Sequence, residues 1–426
     1  MISRFWKSRD GSVLPLFGLA CFVLIGAMGF GVDAARLMLM HSSLQRSIDA
    51  GALSAVSKLG TTDLETELRN FTQANFSEGQ IGARLDTLTW TMSNNDKTLT
   101  VNARATAPTT FMTILGVDTM STSAMSVVDR KTSGLELALI LDNTGSMSKD
   151  IGTLKTAATD LLDILFGGEE IGEKLYVGIV PFSQSVNIGP SRSSWLKPKS
   201  LDAYDWGKQG WGGCVEGLSE SSDVSDDLPS EMMPYYYRSS STQKTNKNPN
   251  DSCPAEVTPL TPKKATLVSA IGKMKAVGWT HINLGAVWGW RMLSPKWRGE
   301  WGGEMASYQL PLDYRTQDMQ KVAVIMTDGD NTKQSGYTAY GFGSGTLGWN
   351  PERELNRRLS SVCTSMKNNG ILVFTIAFNN VLEDTRELLE NCASGSARFF
   401  ISRTKADLEM AFRDIGNALS NLRVSR

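Results

Sequence analysis

Residues Gly11 to Val32 form an unbroken run of 22 uncharged, mostly apolar residues. No other feature limits so strongly what the chain can fold into, because a helix of about 20 such residues spans the hydrocarbon core of a bilayer. Arg4, Lys7 and Arg9 precede the run, and Asp33 and Arg36 follow it. The positive excess ahead of it predicts a cytoplasmic N-terminus. The helical pattern then continues. Leu37, Met40, Leu44, Ile48 and Ala52 recur at three- and four-residue steps and mark one apolar stripe to about Leu59. A cleaved signal peptide would have a shorter apolar region ending in a small-x-small site, so a continuous helix of about 45 residues reads as a retained anchor.

The run from Ser12 to Val32, followed by Asp33, Ala34, Ala35 and Arg36 and then by Leu44, Gln45, Asp49, Ala50 and Ala52, resembles the N-terminus of the TadE/TadG-like proteins of Flp (tight-adherence) pilus assembly. The prepilin-like members of that group carry a glutamate five residues after the glycine at which a peptidase cuts. Counting from Gly11, that position is Leu16, and this departure implies a retained helix.

Composition narrows the partners. The 426 residues leave room for two or three domains, and 41% hydrophobic with 20% charged residues is ordinary for globular protein. A formal net charge of -1 lacks the basic excess that a phosphate-binding surface needs, which argues against nucleic acid. With only two histidines, His41 and His281, imidazole-pair catalysis or a His-rich zinc site has little material. Of five cysteines, Cys21 lies in the apolar run, facing lipid or a neighbouring helix. The others form two separated couples, Cys214 with Cys253 and Cys363 with Cys392. Without CxxC spacing a zinc site is a poor reading, and in an exported domain an even number favours disulfides, the alternative being reduced, buried thiols.

Between about Thr61 and Arg130 the period switches to alternation. Leu88, Trp90 and Met92, a turn at Asn94, Asn95 and Asp96, and then Leu99, Val101 and Ala103 read as a β-hairpin, with a further strand around Ser123 to Val128. This is a small α+β spacer spanning residues 61–133, between a TadE-like portion (1–60) and a third domain (134–426); Lys131 to Gly134 reads as the linker.

From Leu135 the pattern is α/β. Leu135 to Leu141 is a continuous apolar run, as in a strand buried on both faces of a parallel sheet. Ile151 to Phe166 reads as a helix, and Leu175 to Phe182, Lys321 to Met326, Ile371 to Phe378 and Ala397 to Ile401 as further strands. Strands separated by helices imply right-handed crossovers and a doubly wound, mostly parallel sheet, whose ligands gather at the carboxyl ends of the strands. Asp142 and Asp328 both sit at that edge. In Asp142-x-Thr144-x-Ser146, alternate residues of a loop leaving a strand turn the same way, so that a carboxylate and two hydroxyls converge. Such oxygen-only ligands suit a small hard cation, Mg²⁺. Taken alone, the triplet also suits a turn or a helix cap.

LALILDNTGSM and VAVIMTDGDN resemble the first strand with its metal-binding loop, and the strand bearing the last aspartate, of the von Willebrand factor A (vWA) family. Thr144 stands where serine is commoner. Gly278-Trp279-Thr280-His281-Ile282-Asn283-Leu284-Gly285 resembles the loop that supplies the remaining threonine. The resemblance covers about Leu135 to Arg426 and implies a vWA/Rossmann-like domain with a metal site of Asp142, Thr144, Ser146, Thr280 and Asp328. It implies Mg²⁺, with Mn²⁺ or Ca²⁺ as alternatives, and a partner protein whose acidic side chain completes the coordination. A metal-free domain that keeps these loops only for capping is the competing reading. Asp330 and Asn331 extend the loop but are not assigned as ligands.

His281 beside Thr280 reads as a loop or surface histidine. No GxSxG elbow, HExxH or GxxxxGK[ST] loop accompanies it, so neither hydrolysis nor nucleotide binding is expected. Residues 189–262 interrupt the α/β pattern with a polar stretch carrying Trp195, Tyr204, Trp206, Trp211, Tyr235, Tyr236 and Tyr237. These aromatics fit a recognition surface and, equally, a small satellite core stapled by Cys214 and Cys253. Trp279, Trp288 and Trp290 flank the Thr280 loop as core or rim. Together the two resemblances imply a non-enzymatic, single-pass protein of a bacterial inner membrane, its bulk periplasmic, working in pilus assembly. The alternative is a surface adhesin whose vWA domain binds host or matrix ligands.

Overall fold

The computed structural model describes residues 13–57, 64–76, 82–93, 98–129, 133–240, 242, 245, 247–332, 337–342, 347–379 and 381–424. The chain forms two compact units, Met1–Lys131 and Thr132–Val424. The basic residues Arg4, Lys7 and Arg9, the turn at Asn94 to Asp96, and Lys131 and Thr132 of the expected linker lie outside the described residues.

The first unit is built on one long helix, α1 (Val13–Ser57), followed by α2 (Leu64–Asn75) and an antiparallel sheet of β1 (Arg84–Ser93), β2 (Thr98–Pro108) and β3 (Thr119–Asp129) in that order. The apolar stripe does what its spacing requires. Met40, Leu44, Ile48 and Ala52 are fully buried in one core with Leu68 of α2 and Leu99 and Val101 of β2. Nearer the N-terminus the same helix buries almost nothing: Leu16, Leu19, Phe22, Val23, Leu24, Ile25 and Met28 are all more than half exposed. Among the described residues this is the one helix long and apolar enough to cross a membrane. The helix α2 corrects the expectation of alternation directly after Thr61. It begins with Glu65 and Glu67, which favour a helix N-terminus, and buries only Leu68 and Thr72. Two inward positions in a polar segment are too few to show a period of 3.6.

The second unit is an eight-stranded sheet in the order β13-β12-β9-β4-β5-β6-β7, with β8 paired to β5. Its parallel core is β13 (Phe399–Ser402), β12 (Leu372–Phe378), β9 (Met319–Thr327), β4 (Gly134–Asp142) and β5 (Leu175–Phe182). The short strands β6 (Val186–Asn187), β7 (Cys214–Val215) and β8 (Thr258–Thr261) pair antiparallel at one edge. A separate small hairpin joins β10 (Tyr337–Thr338) to β11 (Gly341–Phe342).

Because β4 is covered on both sides, its side chains sort by parity. Leu135, Leu137, Leu139 and Leu141 pack with α3 (Ile151–Phe166), α5 (Lys264–Lys273) and α10 (Lys405–Val424). Ala138 and Ile140 pack in the layer of α6 (Ile282–Leu293) and α8 (Pro351–Asn368). The remaining helices are α4 (Glu220–Asp223), α7 (Gly303–Ser307) and α9 (Glu383–Cys392). The result is a doubly wound, mostly parallel α/β sheet.

The aromatics of the insertion do not form a recognition surface. Trp206, Trp211, Tyr235 and Tyr236 are buried, in the same core as α6. Trp195 stacks parallel to Trp288 at 6.5 Å and meets Trp297 and Trp301 edge-on at 5.4 and 5.2 Å. They are a continuation of the main core rather than a satellite. Both cysteine couples are disulfides: Cys214–Cys253 ties the insertion together at a Cα–Cα distance of 5.8 Å, and Cys363–Cys392 joins α8 to the end of α9 at 5.1 Å.

Candidate metal centre

The parallel register sets Leu141 of β4 beside Met326 of β9, so both strands end together and release their next residues at one edge. The backbone amide of Thr144 donates to Asp142 Oδ1 at 2.8 Å, which curls the loop back over its own aspartate. The hydroxyls of Thr144 and Ser146 then lie 2.8 Å apart, and Ser146 donates to Asp328 Oδ1 at 2.6 Å. Asp142, Thr144, Ser146 and Asp328 therefore form one connected group of oxygens. Thr280 comes from a facing loop held in place by two backbone bonds, Gly145 N–H to the Gly278 carbonyl (2.9 Å) and Val277 N–H to the Asn143 carbonyl (2.7 Å). A Cβ placed on Gly329 would lie 3.4 Å from Thr280 Oγ1 and 3.8 Å from Ser146 Oγ, so these two hydroxyls flank the same small space.

Among the described residues no basic side chain pairs with either carboxylate of the group. Asp142 is fully buried, and burial raises its pKa against the hydrogen bonds it accepts from Thr144 and Thr327. Asp328 is pushed up to about 7, first by burial and then by repulsion from Asp142, while the Ser146 hydroxyl pulls the other way. Among the described residues no group of three or more His, Cys, Asp or Glu side chains comes together. The donors here are two carboxylates and three hydroxyls. That set fits a hard divalent cation better than zinc, which favours nitrogen and sulfur. Asn143, between Asp142 and Thr144, is fully buried, with neither side-chain amide atom hydrogen-bonded among the described residues.

Several supporting residues escaped the sequence reading. Thr327 donates to Asp142 Oδ2 at 2.6 Å and fixes the carboxylate's orientation. Gln184, in the turn between β5 and β6, accepts from Trp279 N–H (3.0 Å) and donates to Tyr235 Oη (2.7 Å) and the Tyr337 carbonyl (2.9 Å). It thereby links the Thr280 loop to the insertion. Thr327 adjoins Asp328 at a strand end and was open to notice; Gln184 carries no local signal. Asp330 and Asn331 face elsewhere. Asp330 accepts from Leu382 N–H, and Asn331 accepts from Ile282 N–H, at the start of α6. His281 is not on the surface: it is only 1% exposed, and burial lowers its pKa to about 4. Trp279 does form the rim, at 43% exposure, whereas Trp288 and Trp290 are core.

Comparison with known proteins divides along the same line as the fold. Residues 11–58 match the profile of the family described as "Putative Flp pilus-assembly TadE/G-like". No curated protein matches the chain at a significant level. Among solved structures, the pilus adhesin SpaC from Lactobacillus rhamnosus GG matches at 12% identity and a TM-score of 0.39, over 80% of this chain and 35% of its own. The von Willebrand factor domain of the pilus tip protein Mfa5 from Porphyromonas gingivalis matches at 11% identity and 0.38, over 69% and 97%. Proximal thread matrix protein 1 from the mussel byssus, in a structure with zinc in its MIDAS motif, matches at 12% identity and 0.34, over 69% and 47%. The chain thus spans about a third of SpaC and about half of the mussel protein.

Proposed function

We propose that this chain is a membrane-anchored, periplasmic protein-binding component of Flp/Tad pilus assembly, and that it engages its partner through a Mg²⁺-dependent site of Asp142, Thr144, Ser146, Thr280 and Asp328. The observation that carries the reading is the bonded group of Asp142, Thr144, Ser146 and Asp328 at the carboxyl edge of the sheet, with Thr280 facing it. The TadE/G-like match over residues 11–58 supports the pilus-related part. A bound cation would supply positive charge for the two carboxylates and, with few anionic ligands, would remain attractive to an acidic side chain of a partner. The chain's own residues hold the donors in place. Thr327 orients Asp142, and Ser146 bridges the threonine hydroxyl to Asp328. We read the site as binding rather than catalytic. The imidazole beside it is buried and held neutral, so it is not poised to move a proton in solution at the metal edge.

The test is calorimetric titration of the detergent-solubilised full chain with magnesium chloride, alongside Asp142→Ala. Binding by the wild type and its loss in the variant is the expected result. Equal heats for the two proteins, or none for either, would overturn the metal-dependent reading.

A further inference from the structure

The connection between β2 and β3 carries Phe111, Met112, Thr113, Ile114, Leu115, Gly116 and Val117, a run of apolar residues that a soluble hairpin has no use for. Phe111, Ile114, Leu115 and Val117 are 40, 69, 58 and 42% exposed. They do not point into the core of the first unit. Phe111, Ile114 and Leu115 instead line a crevice against Phe22, Ile25 and Phe30 of α1, the part of that helix whose own apolar residues are uncovered. The contact is close: a Cβ on Gly29 would come within 2.6 Å of Phe111 Cβ.

Most of the backbone amides of this tip are bonded within the protein. Asp33, the first charge after the apolar run, accepts from the amides of Thr110, Phe111 and Met112 at 2.9, 2.9 and 2.8 Å. The amides of Thr109, Ile114, Gly116 and Val117 donate to the carbonyls of Asp118, Phe111, Thr113 and Met112. Even the hydroxyls turn inward, Thr109 donating to the Val117 carbonyl at 2.5 Å. A loop in water does not need this, because water satisfies its amides. A loop in hydrocarbon does, since each unsatisfied backbone group there costs several kcal/mol.

We infer that the tip of the β2–β3 connection is inserted into the outer leaflet of the same membrane that α1 crosses, as an apolar wedge clamped to the helix by Asp33. This rests on the reading of α1 as a retained span. At 1.5 Å per residue, Ile25 lies roughly 10 Å below Val32, so Leu115 beside it would sit within the acyl chains rather than among headgroups. The partner is lipid hydrocarbon, committed to by continuity with the exposed apolar face of α1 and by the bonding of most of the tip's amides. The arrangement would fix the sheet of the first unit against the bilayer surface.

Site-directed spin labelling of the full chain in phosphatidylethanolamine–phosphatidylglycerol vesicles tests this. The free thiol Cys21 reports the span. In a Cys21→Ser background, Leu115→Cys and, separately, Ile114→Cys report the tip, and Val127→Cys reports the far end of β3. Power saturation should show the tip labels accessible to oxygen and shielded from a water-soluble nickel chelate, like Cys21 and unlike Val127. Adding Gly29→Val should shift the Leu115 label towards the aqueous pattern while the rest of the span stays buried. Tip labels that behave like Val127 while Cys21 remains lipid-facing would overturn the wedge and leave the span intact. A water-accessible Cys21 would overturn the span, and the wedge with it.

Discussion

At the scale of single residues, the site is governed by two carboxylates whose charge is costly in the folded state. For Asp328, folding raises the pKa from its ordinary value near 4 to about 7. The folded state then binds more protons than the unfolded state in that interval, so this group lowers stability as pH rises through it. A cation removes that cost only where the proton has already left. Magnesium should therefore raise the melting temperature more at pH 8 than at pH 5.5, and thermal scans with and without magnesium at both values check it; an equal rise would argue that Asp328 is not a ligand. His281 has the opposite sign. Its folded pKa of about 4 lies below the ordinary 6.5, so stability is fully present above pH 6.5 and is lost as pH falls towards 4. A depression of that size at a fully buried group corresponds to a cost on the order of 3 kcal/mol. Because the two groups oppose each other over most of the window, the histidine should be measured in an Asp328→Asn background. There, acidification from pH 7 to 4.5 should lower the urea midpoint, and His281→Gln should remove most of that loss.

At the scale of elements, the sheet is held together by close approach as much as by bulk. Gly285 lets α6 press onto β4 and β5: a Cβ there would meet the Phe182 ring at 2.5 Å and Ile140 Cγ2 at 3.0 Å. Gly272, in α5, has open space around it. The two glycines should respond oppositely to alanine. Gly285→Ala overpacks a finished core and should cost about 1–3 kcal/mol, whereas Gly272→Ala should gain about 0.5–1 kcal/mol from helix propensity. Chemical denaturation of both variants decides this, and destabilisation of similar size at both sites would refute the packing argument. The same contrast explains what could be read from the sequence. The strands β4 and β5 were legible to within a residue because burial on both faces leaves no polar interruption. The clustering of Asp142, Thr144 and Ser146 was legible because the strand end and the loop spacing are local. The aromatics of residues 189–262 could not be assigned, because their burial depends on Trp288, Trp297 and Trp301 from elsewhere in the chain. Gln184 was hidden for the same reason, since every partner that gives it meaning is more than 50 residues away.

At the scale of the whole molecule, two unrelated features bear on which side of the membrane the second unit would lie if α1 is a retained span. One is charge: Arg4, Lys7 and Arg9 stand ahead of the apolar run, an arrangement that favours a cytoplasmic N-terminus. The other is redox chemistry. Cys214–Cys253 and Cys363–Cys392 close loops with sequence separations of 39 and 29 residues, and bonds of this kind persist in oxidising compartments and not in a reducing cytoplasm. Each bond should contribute about 2–4 kcal/mol by restricting the unfolded chain, so the second unit should be most stable in an oxidising compartment. Neither feature depends on the metal site, and their agreement gives a prediction that stands apart from it. In spheroplasts, added protease should digest the second unit and leave a membrane-embedded N-terminal fragment of unaltered starting residue, while intact cells should be protected by their outer membrane. A maleimide added to the denatured, unreduced protein should modify Cys21 alone, and after reduction all five cysteines. If instead the second unit resists protease in spheroplasts and four further thiols react without reductant, the domain lies in the cytoplasm. The positive charges would then have been misread, and the periplasmic partner proposed for the metal edge would lose its compartment.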